Sequence, residues 1–310
     1  MVFENLTPLE SMVSRGDLDG IESLREGGQK VRYKPHFVRS ALMLSAHRLK
    51  HLNRLDDLEA DIVVLNLEDG VAPALKPMAL RLTGLFLSKL RKIASQTVVR
   101  INPLAEGGEE EIAYLNEIRP DAIRVPKIES PADVERALEL IDPSIAVHLS
   151  IETSLAWRHL ESLALDPRVE AWYLGVLDLL ASMRLPQRIV MPDNPTMHTI
   201  LARFLLTAAT HDVLPISFVY QDYKNIEAFT RWCELERAMG YHAKGCISPT
   251  QVAIANRLFG PEEEAIERAK KIVALFESNP NESGFVDEDL GFVDEPVYKA
   301  AKDLLRIVGG

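Results

Sequence analysis

Cysteine is scarce in this chain, with two in 310 residues. Cys233 and Cys246 fall in a predicted helix and a predicted strand, too few for a disulfide framework or a thiolate metal site. A reducing cytoplasm is the expected setting. Positive charge is also short: 35 Lys and Arg stand against 46 Asp and Glu, a net charge of -11. Without a basic surplus to neutralise phosphates, no nucleic-acid partner is expected. The first twenty residues, MVFENLTPLESMVSRGDLDG, lack the basic start and apolar stretch of a secretion signal. No run approaches the roughly 18 apolar residues of a membrane span, so no membrane partner is expected. The eight histidines show no HxH or HExxH spacing. GxGxxG, Walker and GxSxG signatures are missing too, which removes dinucleotide, nucleotide and serine-hydrolase readings.

What the chain has instead is a series of short apolar runs: 39–46, 62–67, 97–101, 122–125, 145–151, 169–174, 213–219 and 244–247. Runs rich in Val, Ile and Leu without polar alternation suit parallel strands buried on both faces, and the intervals are long enough for crossover helices. Eight such units imply an α/β fold, a TIM barrel, and 47% hydrophobic residues suffice for its core. Residues 1–38 are polar, with Gly27, Gly28, Lys30, Arg32 and Lys34, and read as a leader packed on the barrel. Residues 39–278 would form the catalytic barrel, with helix-like stretches at 131–141, 200–209 and 226–239. The proline-rich segment 184–195 reads as an active-site loop or, equally, as an ordinary connector. From Asn279 a turn-rich linker leads to a short duplication, Gly284-Phe285-Val286-Asp287-Glu288 and Gly291-Phe292-Val293-Asp294-Glu295, then Pro296 and a helical tail. Two copies are too few for a solenoid, so 279–310 reads as a hairpin and helix outside the barrel.

Barrel enzymes keep their chemistry at the carboxyl ends of the strands. The candidates there are Glu68 and Asp69, Arg100 and Asn102, Lys127 and Glu129, Glu152, Asp178 and Ser248. Glu152 and Asp178 close neighbouring strands about 4.8 Å apart, so both carboxylates can face one point. Such a pair suits Mg²⁺, which keeps several waters and takes further ligands from substrate. Capping of the following helices is an equally good account of these residue types. Gly175 leaves room for a ligand beside such a metal. Arg100 ends another strand with a planar fork of donors suited to a carboxylate or α-keto acid, or to an ion pair with Glu68, or to both. Lys127 raises Schiff-base chemistry, while an ion pair with Glu129 would keep it protonated and unreactive.

In order, Arg39-Ser40-Ala41-Leu42, Leu67-Glu68-Asp69-Gly70-Val71, Val99-Arg100-Ile101-Asn102-Pro103, Val125-Pro126-Lys127-Ile128-Glu129-Ser130-Pro131, Ile151-Glu152-Thr153, Gly175-Val176-Leu177-Asp178-Leu179 and Ser248-Pro249 resemble the citrate lyase beta-subunit-like branch of the HpcH/HpaI aldolase superfamily. The resemblance implies a Mg²⁺-dependent carbon–carbon lyase acting on malyl-CoA, citramalyl-CoA or a citryl thioester, assembled as a homotrimer or hexamer. It implies Glu152 and Asp178 as metal ligands and Arg100 as the group that grips the acid end, with Glu68 beside it. Arg39, Gly175 and Val176 are the further substrate-binding positions. Asp294, in Val293-Asp294-Glu295-Pro296, is implied as an acid/base reaching a neighbouring subunit, with Asp287 a competing register. The chain departs from the family at Ser45-Ala46, Asn66, Ser182-Met183-Arg184 and Ser248. The rival expectations are an aldolase acting on a free hydroxy-keto acid and a citrate lyase beta-like subunit inactive without partners.

Overall fold

The computed structural model describes residues 1–27, 33–90, 94–279 and 284–308. Its centre is eight parallel strands: β1 Ser40–Ser45, β2 Ile62–Asn66, β3 Gln96–Arg100, β4 Ala122–Val125, β5 Ala146–Ile151, β6 Val169–Leu174, β7 Leu214–Ile216 and β8 Lys244–Cys246. They pair in chain order, and β1 pairs with β8. Ser217, just past β7, closes the ring: its amide donates to the Ala243 carbonyl at 3.0 Å and its carbonyl accepts from Gly245 at 2.9 Å. This is the expected TIM barrel. The strands are legible as apolar runs because both faces are covered. Inside, small residues such as Val64, Val98, Ala122, Ala146 and Ala171 fit the narrow lumen. Outside, Leu65, Val99, Ile123 and Leu149 join the layer shared with the surrounding helices. Each large apolar side chain so buried contributes roughly 1.5–3 kcal/mol.

The polar N-terminal leader folds into two helices, Thr7–Arg15 and Leu18–Ser23, whose Leu9 and Ile21 join the barrel's core. Glu22 accepts from Tyr114 at 2.7 Å in the helical layer. Of the leader residues singled out above, Gly28, Lys30 and Arg32 lie outside the described residues.

The chain divides into two compact units, Met1–Phe259 and Gly260–Gly310. The boundary therefore falls earlier than the expected 278. Helix Glu263–Ser278 belongs with the tail because its Ala269 and Ile272 pack with Leu290, Val293 and Ala301 in a small core of their own. Phe276 also stacks on Tyr298 with centroids 4.5 Å apart. The expected hairpin and helix are present: β9 Gly284–Asp287 pairs antiparallel with β10 Gly291–Asp294, followed by helix Glu295–Val308. Residues 280–283 of the expected linker lie outside the described residues. Among the described residues no helix is long and apolar enough to cross a membrane.

Candidate active site

The carboxyl end of the barrel is assembled strand by strand. After β2 the chain turns at Gly70, whose φ of +83° suits glycine. Asn66 braces this turn: its amide nitrogen donates to the Asp69 carbonyl and its Oδ1 accepts from the Glu68 amide at 3.3 Å. An aspartate at this position could not donate, so the departure at Asn66 has a structural use. The turn delivers Glu68, buried, against Arg100 at the end of β3. Arg100 Nη2 forms an ion pair with Glu68 and lies 3.4 Å from both Glu152 oxygens and 3.6 Å from Asp69 Oδ2. Burial pushes the Glu68 carboxyl up to about 7, with Arg100 opposing the shift and Glu152 adding to it.

Glu152 directly follows β5 and is only 2% exposed. Its Oε1 accepts from the Lys127 backbone amide at 3.0 Å. Lys127 holds a left-handed φ of 52°, a strained state for a residue with a Cβ that costs roughly 1–2 kcal/mol. That backbone turn aims both its amide and its ammonium at the same acidic pair. Nζ lies 3.0 Å from Asp178 Oδ1 and 3.9 Å from Glu152 Oε1. Burial lowers the basicity of Lys127, but Glu152 and Asp178 outweigh it and the net shift is upward. This pairing favours the charged ammonium over the free amine that a Schiff base needs. Its expected partner is corrected: Glu129 is exposed and its amide donates to Asp133 at the start of helix Pro131–Leu140.

Asp178 stands in the first turn of helix Val176–Ser182, so it reaches the site from a helix and is 48% exposed. Gly175 separates it from β6. A Cβ at Gly175 would lie 2.5 Å from Glu152 Cβ and 2.6 Å from Glu152 Oε2, so glycine is what allows the carboxylate to lie there. A cavity of about 280 Å³ opens beside these groups, lined by Arg100, Arg124, Glu152, Gly175, Val176 and Asp178 among others. A larger cleft, about 820 Å³, lies among helices of the outer layer, where Glu22 and Glu26 are paired with Arg25 and Lys89.

The donor set fits a hard divalent cation. Two carboxylates converge on one positive point, where the Lys127 ammonium now sits, and the missing Gly175 side chain leaves Glu152 its place there. Among the described residues no three His, Cys, Asp or Glu side chains gather as a metal cluster. An ion held by this pair would complete its shell with water and substrate oxygens, as Mg²⁺ does.

Several expected residues take other roles. Arg39 precedes β1, at the amino end of the barrel, where its guanidinium and amide bond Asp61 at 2.7–3.0 Å. This corrects its substrate-binding role, because the opposite strand ends carry the cavity. Asn102 is buried against Glu111 at 2.6 Å and receives a bond from Lys76, which leaves its amide committed to the scaffold. Ser248 accepts from the Gln251 amide at 3.2 Å at the start of helix Pro249–Phe259. Segment 184–195 is not among the residues that line this cavity. In the second unit Asp287 Oδ1 accepts from Asp289 and Leu290 within the hairpin turn, both at 2.9 Å. Asp294 Oδ1 accepts from Val297 at 3.2 Å at the start of the last helix.

Sequence reasoning missed Arg124. It lies inside β4 with the site's guanidinium neighbour, Arg100, as its register partner on β3. The signal was available: a lone charge in Ala122-Ile123-Arg124-Val125, a run otherwise apolar.

The sequence profile of the HpcH/HpaI aldolase/citrate lyase family matches residues 39–249. A (3S)-malyl-CoA thioesterase of Cereibacter sphaeroides is 30% identical over 246 residues, spanning 79% of this chain and 85% of that protein. An L-malyl-CoA/beta-methylmalyl-CoA lyase of Rhodobacter capsulatus is 28% identical, spanning 70% of this chain and 77% of that protein. Among solved structures, protein CitE from Mycobacterium tuberculosis in complex with magnesium, acetoacetate and coenzyme A is 25% identical, with TM-score 0.70, covering 88% of this chain and 99% of that one.

Proposed function

Because this chain belongs to the HpcH/HpaI aldolase/citrate lyase family, we propose that it is a Mg²⁺-dependent carbon–carbon lyase that cleaves or forms a short hydroxyacyl-CoA such as malyl-CoA, citramalyl-CoA or a citryl thioester. One observation carries the reading: the Glu152 and Asp178 carboxylates meet at a single cationic point beside Arg100, at the mouth of the barrel cavity. Glu152 and Asp178 hold the ion, which supplies Lewis acidity toward the substrate oxygens where charge develops. Lys127 gives up its place between them. Arg100, kept in line by Glu68, grips the carboxylate of the hydroxy-acid portion. Gly175 and Val176 form the wall against which that portion lies. Asp294, lent by a neighbouring copy in a trimer or hexamer, protonates the carbon of the thioester enolate after cleavage. The two buried thiols, Cys233 and Cys246, support work in a reducing cytoplasm.

The test is incubation of the full chain with Mg²⁺ and a panel of malyl-CoA, citramalyl-CoA and citryl-CoA. Release of a keto acid together with the shorter acyl-CoA, abolished by chelation, is the expected result. No keto acid from any thioester would overturn the reading. Mixing Arg100→Ala with Asp294→Ala protein should restore part of the activity each lacks, and no recovery on mixing would remove the role in trans. The thioesterase relative favours a second reading, hydrolysis of the thioester. It is told apart by its products, a free hydroxy acid and coenzyme A with no keto acid.

A further inference from the structure

Arg124 is a buried charge with no direct ion-pair partner among the described residues. Its side chain lies inside the barrel, 5% exposed, and lines the cavity that holds Glu152 and Asp178. Its register partner Arg100 faces three carboxylates, Glu68, Asp69 and Glu152. Among the described residues Arg124 forms no ion pair at all. Nε donates to Ser150 Oγ at 2.8 Å, and the guanidinium carbon stands 4.0 Å above the Tyr173 ring. Tyr173 in turn meets His148 Nδ1 at 3.2 Å, so the ring under Arg124 is itself held in place. A guanidinium has five N–H donors and stays protonated, and among the described residues one of them is bonded, to Ser150.

Burying such a cation without an anion is costly, and a stacked aromatic ring offsets only about 2 kcal/mol of that. Burial, and then the neighbouring Arg100, bring the guanidinium down to about 10 although Tyr173, Glu152 and Glu68 oppose the shift. A partner that enters with the substrate resolves this. Arg100 and Arg124 occupy paired positions on adjacent strands, about 4.8 Å apart in a parallel sheet, and both line one cavity. Two guanidiniums carried side by side into one cavity match two carboxylates on one small molecule.

We infer that Arg124 is a specificity-determining residue that binds a second carboxylate of the acid fragment, so that the site selects oxo diacids over oxo monoacids. This rests on the lyase reading above, which places the acid fragment in the same cavity.

The experiment measures binding of pyruvate and of freshly prepared oxaloacetate to the full-length protein with Mg²⁺, by calorimetry and by thermal shift. The two ligands differ by one carboxylate, and decay of oxaloacetate to pyruvate can only shrink a difference between them. Wild-type protein is expected to prefer oxaloacetate by roughly tenfold or more, as a bidentate charged contact supplies. In Arg124→Gln the ratio falls to about one, and in Arg124→Lys, which keeps charge without the fork, it lies between. No preference in the wild type overturns the inference while leaving the lyase reading intact. An unchanged ratio in Arg124→Gln, with both ligands weakened alike, also overturns it by assigning Arg124 a structural role. If neither acid binds the wild type with Mg²⁺, the lyase reading itself fails and takes the inference with it.

Discussion

Lys127 and Asp178 form an ion pair of 3.0 Å across the mouth of the barrel, and the same ammonium reaches Glu152 at 3.9 Å. The lysine thus stands where a divalent cation is expected to stand. Glu152→Ala and Asp178→Ala should each abolish Mg²⁺-dependent turnover, measured as keto-acid release, and a wild-type rate in either variant removes the metal site. Lys127→Met should lower the melting temperature in chelator and enlarge the rise produced by Mg²⁺, because the ion then meets no competitor. An unchanged Mg²⁺ response would show that the ammonium does not compete.

Gly175 offers a steric test of the same pocket. Its φ of -87° suits any residue, so Gly175→Ala acts through contact alone, with a Cβ 2.6 Å from Glu152 Oε2. Overpacking of this kind costs about 1–3 kcal/mol. Urea unfolding should show that loss, and calorimetry should show weaker Mg²⁺ binding as Glu152 is displaced. Full stability together with full Mg²⁺ affinity would mean that Glu152 has another place to go.

Glu68 sets a pH dependence. Its carboxyl is pushed from an ordinary 4.5 to about 7, first by burial. The protonated form is therefore favoured on folding: the contribution is fully present below pH 4.5 and is lost as pH rises through 7. In chelator, wild-type stability should fall across that window relative to Glu68→Gln, which cannot ionise. Parallel stability-against-pH curves for the two proteins would refute the shift.

Lys244 and Glu236 pair at 2.7 Å with both side chains fully buried, outside the cavity lining. The ammonium is also bonded to the Phe218 carbonyl at 2.9 Å. Lys244→Met leaves Glu236 without its partner and should cost about 3–5 kcal/mol in chemical denaturation. Lys244→Met with Glu236→Leu should recover much of the loss, since the cost comes from the orphaned charge.

The strands were legible because a sheet covered on both faces leaves an uninterrupted apolar run, as in Ile62-Val63-Val64-Leu65, and each run ended where chemistry could begin. Arg100, Glu152 and Glu68 were readable for that reason. Helix Glu263–Ser278 falls inside the expected 39–278 barrel yet packs with the tail, because a run of residues does not say which partner will bury its apolar face. Asp178 was read at a strand end, yet it reaches the cavity from the first turn of a helix, since spacing along the chain does not say where the strand stops.

By itself, then, the order of apolar runs and polar ends determined the barrel and which strand ends face its mouth, because local burial and strand direction are written into consecutive residues. Which charge meets which was decided only by tertiary structure. Lys127 turns away from its neighbour Glu129 toward Asp178, Arg39 falls at the wrong end of the barrel for catalysis, and Arg124 comes to line the cavity beside Arg100. Those outcomes depend on distances between side chains far apart in the chain, where a few ångströms decide whether a charge is paired, and no local pattern carries that information.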